Sequence, residues 1–397
     1  MLKIMKDFLH SKYYWWTILL AGYLLRIIAG WFLQEHQLPD VYSQHMPLAE
    51  AFASGAGYHD KTPGFILFLT PIVILFGKGH YIYPAILLQG LTSLLLCYVL
   101  YKITAAIFRS ETAGRLAAGI GAFYPWLIYY SAQLSLEHWF VLWVSLSVYY
   151  SIRLEQKRDY LSAFILGAVF GFTLWIRSAF APYILAAAIV FLWRQIAWSK
   201  ILLVLLTTAV IVQIWCGYSY FSGGGWRFTT DNAMSNLYFG LNPLNKTGGA
   251  TVGEDSLSYA EIAEIMQTLP PEKQKTWYQD QVIQFVRENP KQVLILAVKK
   301  MWIFWRPYPR SAEHTNPLTI LIIFCSFVPL ALGSLYTLWI FRGDKNYTLL
   351  VYPIIYIAQL NALHLVFAGS LVYRFPIEPL LICLASYSFS YLWENKQ

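Results

Sequence analysis

Charge is what this sequence has least of. Acids and bases together make up 13% of its 397 residues, with 21 Asp and Glu against 29 Lys and Arg. That scarcity excludes an ordinary soluble domain, in which about a quarter of the residues carry charge. Cysteine is scarce too. Cys97, Cys216, Cys325 and Cys383 have no paired spacing, which excludes a cysteine zinc site and leaves them as free packing residues. There is no low-complexity segment and no internal repeat of the kind that many transporters are built from.

What the chain has in quantity is apolar surface: 57% of its residues are hydrophobic and 18% aromatic. A spanning helix needs about 20 apolar residues to cross a hydrocarbon core about 30 Å thick. The segments 14–33, 81–105, 114–133, 136–153, 161–177, 179–194, 201–220, 317–341, 347–366 and 375–393 meet that need or approach it. They are continuously apolar and do not alternate as transmembrane strands do. The expected fold is therefore an all-α polytopic membrane protein with about ten transmembrane helices, juxtamembrane helices and a small extracytoplasmic loop domain.

Cations orient the bundle. Lys3, Lys6 and Lys12 precede the first span, and Arg109, Arg115, Arg153, Lys157, Arg158, Arg194, Lys200, Arg342 and Lys345 fall in alternate links. The positive-inside rule puts these links in the cytoplasm and the loops near 34–80 and 221–316 outside. The same cations account for most of the +8 net charge, so nucleic acid is not implied. The first span has no small-residue cleavage site and reads as a retained anchor. Three parts follow: an N-terminal membrane module, 1–220, with its first outer loop at 34–80; an extracytoplasmic domain, 221–316; and C-terminal transmembrane helices, 317–397.

Within the first outer loop a short helix is expected to end at Gly55, and Pro47 either opens that helix or kinks a longer one. The run from Phe65 to Phe76 is apolar but short, as in a re-entrant or interfacial helix. In the outer domain, Ser258 followed by Glu261 fits a capping box. A further helix runs from about Pro271 and stops before Asn289-Pro290. The next run holds Lys299 and Lys300 in an apolar body. A lysine pair at mid-membrane is costly, so this helix is expected at the interface; the alternative is an eleventh span.

Few acids lie at the span ends, and two of them share the predicted outer side. Asp40 follows the first span, and Glu137 opens the fourth. A carboxylate at that boundary can take a proton from an acceptor hydroxyl. The plainer readings are a helix cap for Asp40 and a helix-dipole partner for Glu137. Lys61, Arg177 and Arg374 sit at the same level and can each hold a lipid phosphate or a substrate phosphate. Arg26, inside the first span, has two readings: a snorkelling cation, or one turned into a cavity. Arg374 and Glu378, four residues apart, can form a helix-end ion pair. His45 and His59 with Asp60 or Glu137 match no familiar metal spacing. The segment from Thr229 to Gly249, which contains Asn242, is rich in Asn and Gly. Turn formation is the ordinary reason for that mix, and amides for sugar hydroxyls are the other.

Taken together these strings resemble a known group. Asp40…Tyr42…Ala49…Gly55-Ala-Gly-Tyr58, then Lys61-Thr-Pro63 and the run ending at Phe76-Gly77, is similar to the first outer loop of the GT-C membrane glycosyltransferases. The nearest branch is the protein O-mannosyltransferase and aminoarabinose-transferase group, in its bacterial members. Tyr124-Pro125, Ser131, Glu137, Trp175-Ile-Arg177, Asn236-Leu-Tyr-Phe-Gly240, Asn242-Pro243, Asn289-Pro290 and Tyr373-Arg374-Phe-Pro376 extend the likeness over most of the chain. The resemblance implies a polyprenyl-phosphate sugar donor and an extracytoplasmic active site. It implies Asp40 as the catalytic carboxylate and Lys61 at the donor phosphate, with Arg374 a weaker phosphate candidate; the leading reading adds Glu137 as the second acid and Arg177 as a further phosphate cation. His45, Tyr58, Asn242 and Glu378 are further substrate-binding candidates.

Two departures stand out: Asp40 is followed by Val41 where many relatives have a second acid, and the fourth span carries Glu137 where Asp is common. A lone carboxylate binds a divalent metal poorly, so no cofactor is required and a divalent metal stays open but unsupported. The expected partners are the lipid-linked donor, a glycan, lipid or protein acceptor, and membrane lipids. The competing readings are a lipid-sugar flippase and a glycan polymerase or ligase that uses a pyrophosphate-linked donor.

Overall fold

A computed structural model describes residues 7–35, 37–38, 41–57, 61–228, 233–249, 262, 264–308, 316–342 and 348–395. In chain order the helices are α1 (Tyr14–Leu33), α2 (Met46–Ala53, entered through a π-helical turn Val41–His45), α3 (Gly64–Phe76), α4 (Ile82–Phe108), α5 (Glu111–Phe123), α6 (Pro125–Ala132), α7 (Leu136–Lys157), α8 (Tyr160–Ile176), α9 (Ala181–Trp193) and α10 (Trp198–Phe221). Then come α11 (Ala233–Gly240), α12 (Pro271–Glu288), α13 (Pro290–Trp305), α14 (Pro317–Ile340), α15 (Val351–Val366), α16 (Leu371–Arg374) and α17 (Glu378–Glu394). Among the described residues there is no strand, only an isolated bridge between Gly249 and Gly369.

Among the described residues, six segments are long and apolar enough to cross a membrane: Tyr14–Leu33, Ile82–Phe108, Trp198–Phe221, Pro317–Ile340, Thr348–Val366 and Leu371–Glu394. The other four of the ten expected spans differ for local reasons. The third is broken at Tyr124, whose backbone is extended (φ −68°, ψ 121°) as the residue before a proline prefers. The fourth, α7, has 22 residues but carries Glu137, His138, three serines and a charged last turn. The fifth and sixth are α8 and α9, of 17 and 13 residues. Caps set the boundaries: Ser110, Ser135 and Asp159 each accept a backbone N–H at a helix start, and Arg109 and Arg158 close helices in the left-handed conformation with φ of 52°. Gly55 ends α2 at φ 85°, and Pro47 lies in that helix's first turn. The capping box at Ser258 and Glu261 lies outside the described residues.

The chain packs as two compact units. One comprises Met1–Thr229, Cys325–Ile355 and Pro376–Gln397, the other Thr230–Phe324 and Tyr356–Phe375. In the first, α8 meets α10 through a Gly-xxx-Gly step. A Cβ on Gly167 would stand 2.6 Å from the Val204 carbonyl, and one on Gly171 would stand 2.7 Å from Ile211 Cβ. Thr208 uses the closeness, donating its hydroxyl to Gly167 O at 3.1 Å. Small residues at such a seam let two backbones approach where the hydrophobic effect offers no drive.

The break in the third span leaves work for Arg26. Pro125 has no N–H to donate to Gly121 O, and the carbonyls at the end of α5 lose their helical partners. Arg26, 1% exposed, donates Nη1 to Ala122 O at 2.7 Å and to Gly22 O at 2.8 Å, Nη2 to Gly121 O at 3.3 Å, and Nε to Ser93 Oγ at 2.6 Å. It neither snorkels nor faces open space; it caps a helix end inside the bundle.

The second unit is built by the same device. Tyr238, Leu241, Val282, Phe285 and Leu296 form its core, with Trp277 and Tyr278 packed on them. Lys300 is buried and donates Nζ to the last carbonyls of α15, Val366 O at 2.6 Å and Leu365 O at 3.4 Å. Lys299 donates to Lys246 O at 2.8 Å. A cation at a helix C-terminus is favoured by the dipole and satisfies carbonyls that a helix leaves open. The opposite face of α13 exposes Leu294, Ile295, Val298 and Trp302.

Two results are expected. Gly171→Leu should prise α8 from α10 and lower stability by about 1–3 kcal/mol; an unchanged unfolding temperature in detergent would refute the tight seam. Burial also pushes the Lys300 ammonium down to about 8. Between that value and the ordinary lysine range near 10.4, the folded chain has released a proton that the unfolded chain still holds, so stability rises with pH there. The unfolding temperature of the native chain, minus that of Lys300→Met, should therefore increase with pH across that window; a flat difference would contradict the assignment.

Candidate active site

The first unit gathers four stretches that are far apart in sequence. Val41, Ala49, Phe65, Ile66, Leu69, Leu134 and Trp215 share one buried apolar cluster, with Leu38, Leu136, Trp139, Trp175 and Tyr218 packed against it. The residues flanking position 40, the start of α3, the start of α7 and the end of α8 thus meet. Thr62 tightens the junction by donating its hydroxyl to Ile176 O at 2.9 Å, which brings the residue after Lys61 to the residue before Arg177. Gly64 permits it, because a Cβ there would stand 2.7 Å from Ile176 Cγ1.

At this junction Glu137 and Arg177 pair. Glu137 is in the first turn of α7 and is 7% exposed; its Oε1 accepts from Arg177 Nη2. Ser135 holds the carboxylate from the other side. Its hydroxyl accepts the Glu137 backbone N–H at 3.1 Å and donates to Glu137 Oε2 at 2.9 Å. The Arg177 guanidinium also lies over the Phe140 ring, with Cζ 5.7 Å from its centroid. The pair is half-open: Glu137 is buried, while the Arg177 side chain keeps about a quarter of its surface exposed, at 24%. An arginine with five N–H donors can keep one on a carboxylate and turn others toward an anion.

A second carboxylate joins the unit at the start of α17. Glu378, 1% exposed, accepts from the Tyr124 hydroxyl at 2.8 Å. Tyr130, on the short helix α6, stacks on Trp126 at 5.6 Å and interacts electrostatically with Glu137, Glu378 and Arg177. The broken third span therefore places two tyrosines among two acids and an arginine. Such a set can hold a hydroxyl-bearing substrate next to an anionic group.

The remaining candidates fall elsewhere. Lys61 is half-buried at the start of the α3 segment. His45 is buried, with its ring edge-on to Phe65 at 5.2 Å. Asp40 and Tyr58, with His59 and Asp60, lie outside the described residues. Asn242 serves a turn in the second unit: Nδ2 donates to Tyr238 O at 2.7 Å, and Oδ1 accepts the N–H groups of Leu244 and Asn245 at 2.9 Å each. Arg374 is also in the second unit. It is fully buried, and its Nη1 donates to Arg306 O at 2.7 Å and Phe304 O at 3.2 Å, at the end of α13. One nitrogen of this phosphate candidate is thus committed to closing a helix. Among the described residues no three His, Cys, Asp or Glu side chains converge.

Sequence reasoning missed two glutamines. Gln89, fully buried on α4, directs Nε2 at the carbonyls of Tyr130 and Ser131, 3.1 Å each, and of Gln133. Gln37 accepts the Leu134 N–H and donates to Leu33 O at 2.8 Å. The signal was an amide inside the otherwise apolar second span, where a polar side chain needs a partner.

Comparison with known proteins bears on the fold. Residues 60–217 match the model of the dolichyl-phosphate-mannose-protein mannosyltransferase family. Among solved structures, the apo oligosaccharyltransferase of Archaeoglobus fulgidus aligns at a TM-score of 0.57 and 13% identity over 97% of this chain. The archaeal oligosaccharyltransferase AglB of that organism, in complex with an inhibitory peptide and a dolichol-phosphate, aligns at 0.54 and 11% over the same share. This chain spans about half the length of those structures, 51% in each case. At such identities the likeness is one of fold. No curated protein sequence matches the chain. The helices long and apolar enough to cross a membrane mark an integral all-α membrane protein, and its residues 60–217 are similar to that mannosyltransferase family.

The ion pair is testable on its own. Arg177→Met should strand a buried carboxylate and destabilise the protein, and adding Glu137→Gln should recover part of the loss. Strictly additive losses in unfolding temperature would mean that the two do not pair.

Proposed function

We propose that this protein transfers a glycosyl group from a polyprenyl-phosphate donor to a hydroxyl of an extracytoplasmic glycan, lipid or protein acceptor. The carrying observation is the junction in the first unit. The segments on either side of position 40, the Lys61–Gly64 stretch, Glu137 and Arg177 come together there from four parts of the chain. The cation distribution supports an outer location for it, since the Lys- and Arg-rich links lie at the other ends of these helices.

In this reading Asp40 takes the proton from the acceptor hydroxyl as that oxygen attacks the anomeric carbon. The carbon–oxygen bond to the lipid phosphate breaks, and the phosphate leaves with the bonding electrons. Lys61 and the exposed side of Arg177 stabilise the charge that develops on it. Glu137 holds Arg177 in place and, with Glu378 and Tyr130, orients hydroxyls. Direct displacement inverts the anomeric centre. The donor brings its own activation, which suits a compartment with few nucleotide sugars.

The test is turnover of a polyprenyl-phosphate-linked sugar by the purified protein in detergent, where a flippase has no sides to connect. Asp40→Asn should lower turnover by about 10²–10⁴-fold. A loss smaller than about tenfold would overturn the assignment of the base. Turnover of a pyrophosphate-linked donor alone would favour a glycan ligase instead.

A further inference from the structure

We infer that Gln89 is a positioning residue for this site, acting through the backbone from Tyr130 to Ser135 on Glu137 and so on Arg177. The inference rests on the function proposed above and adds to it the means by which the ion pair is aimed. The connection between α6 and α7 is three residues long, 133–135. It is too short to cap itself. α6 ends at Ala132, and of its last carbonyls Tyr129 O takes the Gln133 N–H at 3.1 Å. The next carbonyls, of Tyr130 and Ser131, together with that of Gln133, face the single Gln89 amide nitrogen. On the other side of the same side chain, Oε1 faces the Ser135 N–H at 3.5 Å.

Gln89 thus touches the connection at both ends, and Gln37 takes the Leu134 N–H between them. Ser135 is the outcome of that grip. Its backbone is bound by Gln89, and its hydroxyl both caps α7 and holds the carboxylate of Glu137. Thr92, also on α4, meets α7 directly at His138 Nε2, 3.0 Å away, whereas Gln89 reaches Glu137 through the connection and Ser135. An amide is needed because the same group must donate to carbonyls and accept from an N–H. Met at this position keeps the volume and does neither. Glu keeps the shape and, once ionised, turns an acceptor toward three carbonyl oxygens.

A double-mutant cycle on turnover of the lipid-phosphate donor tests this, with Gln89→Met, Glu137→Gln and the pair combined. Each single variant should lower kcat about ten- to a hundredfold, the size of effect that misplacing a reacting group by about 1 Å produces, with donor KM little changed. The combined variant should be no worse than Glu137→Gln alone, because Gln89 acts only through that carboxylate. Losses that multiply would overturn the inference, since that is how a residue that merely supports the bundle behaves. An unaltered kcat in Glu137→Gln would also overturn it, while leaving the role of Asp40 to its own test. Gln89→Glu covers the case in which the Met variant does not fold. Relative to the native chain, its activity should fall as pH rises and its carboxyl ionises; a pH profile parallel to the native one would likewise reject the idea.

Discussion

A backbone carbonyl inside hydrocarbon must find a donor, and much of this structure follows from that one demand. The helices of the first unit are interrupted, at Pro125 and again after Ala132, and each interruption opens carbonyls among buried residues. Arg26 closes the first break, and Gln89 with Gln37 closes the second. In the second unit Lys300 closes α15 and Arg374 closes α13. An unmet buried carbonyl costs about as much as a lost hydrogen bond or more. These few polar side chains therefore decide where a broken helix can exist at all.

The breaks are what make a site. An unbroken third span would run its aromatic residues straight through the bundle. Broken, it turns Tyr124 toward Glu378, stacks Tyr130 on Trp126 beside both acids, and starts α7 with Glu137 facing Arg177. The segment between α1 and α3 completes the arrangement by packing: Val41 and Phe65 are buried in the same cluster as Leu134, and Thr62 binds the backbone just before Arg177. Helix ends fix the two charges of the pair: Glu137 opens α7 and Arg177 closes α8.

Several features were legible in advance because they are local. The residue before Pro125 is extended for steric reasons that involve only its neighbour, and Gly55 takes the left-handed conformation that glycine allows at little cost. The stop before Asn289-Pro290 and the short helix of Gly64–Phe76 were local in the same sense. The cations were not. Arg26 and Arg374, a snorkelling candidate and a phosphate candidate by position, both bind carbonyls of helices distant in sequence, and nothing near them in the chain says so. The Gly167–Gly171 seam likewise depends on packing, because its partner, Val204 to Ile211, lies on α10.

The sequence by itself determined that this is a helical membrane protein, roughly where its apolar segments lie, and that its acids and free cations collect at span ends. Composition and local sterics suffice for that, since bilayer thickness and proline geometry do not depend on the rest of the fold. The tertiary structure alone decided which charge meets which. Glu137 pairs with a residue 40 positions away, and Glu378 with one 254 positions away. Hydrogen bonds act over about 3 Å. Only the packing of helices brings such groups that close.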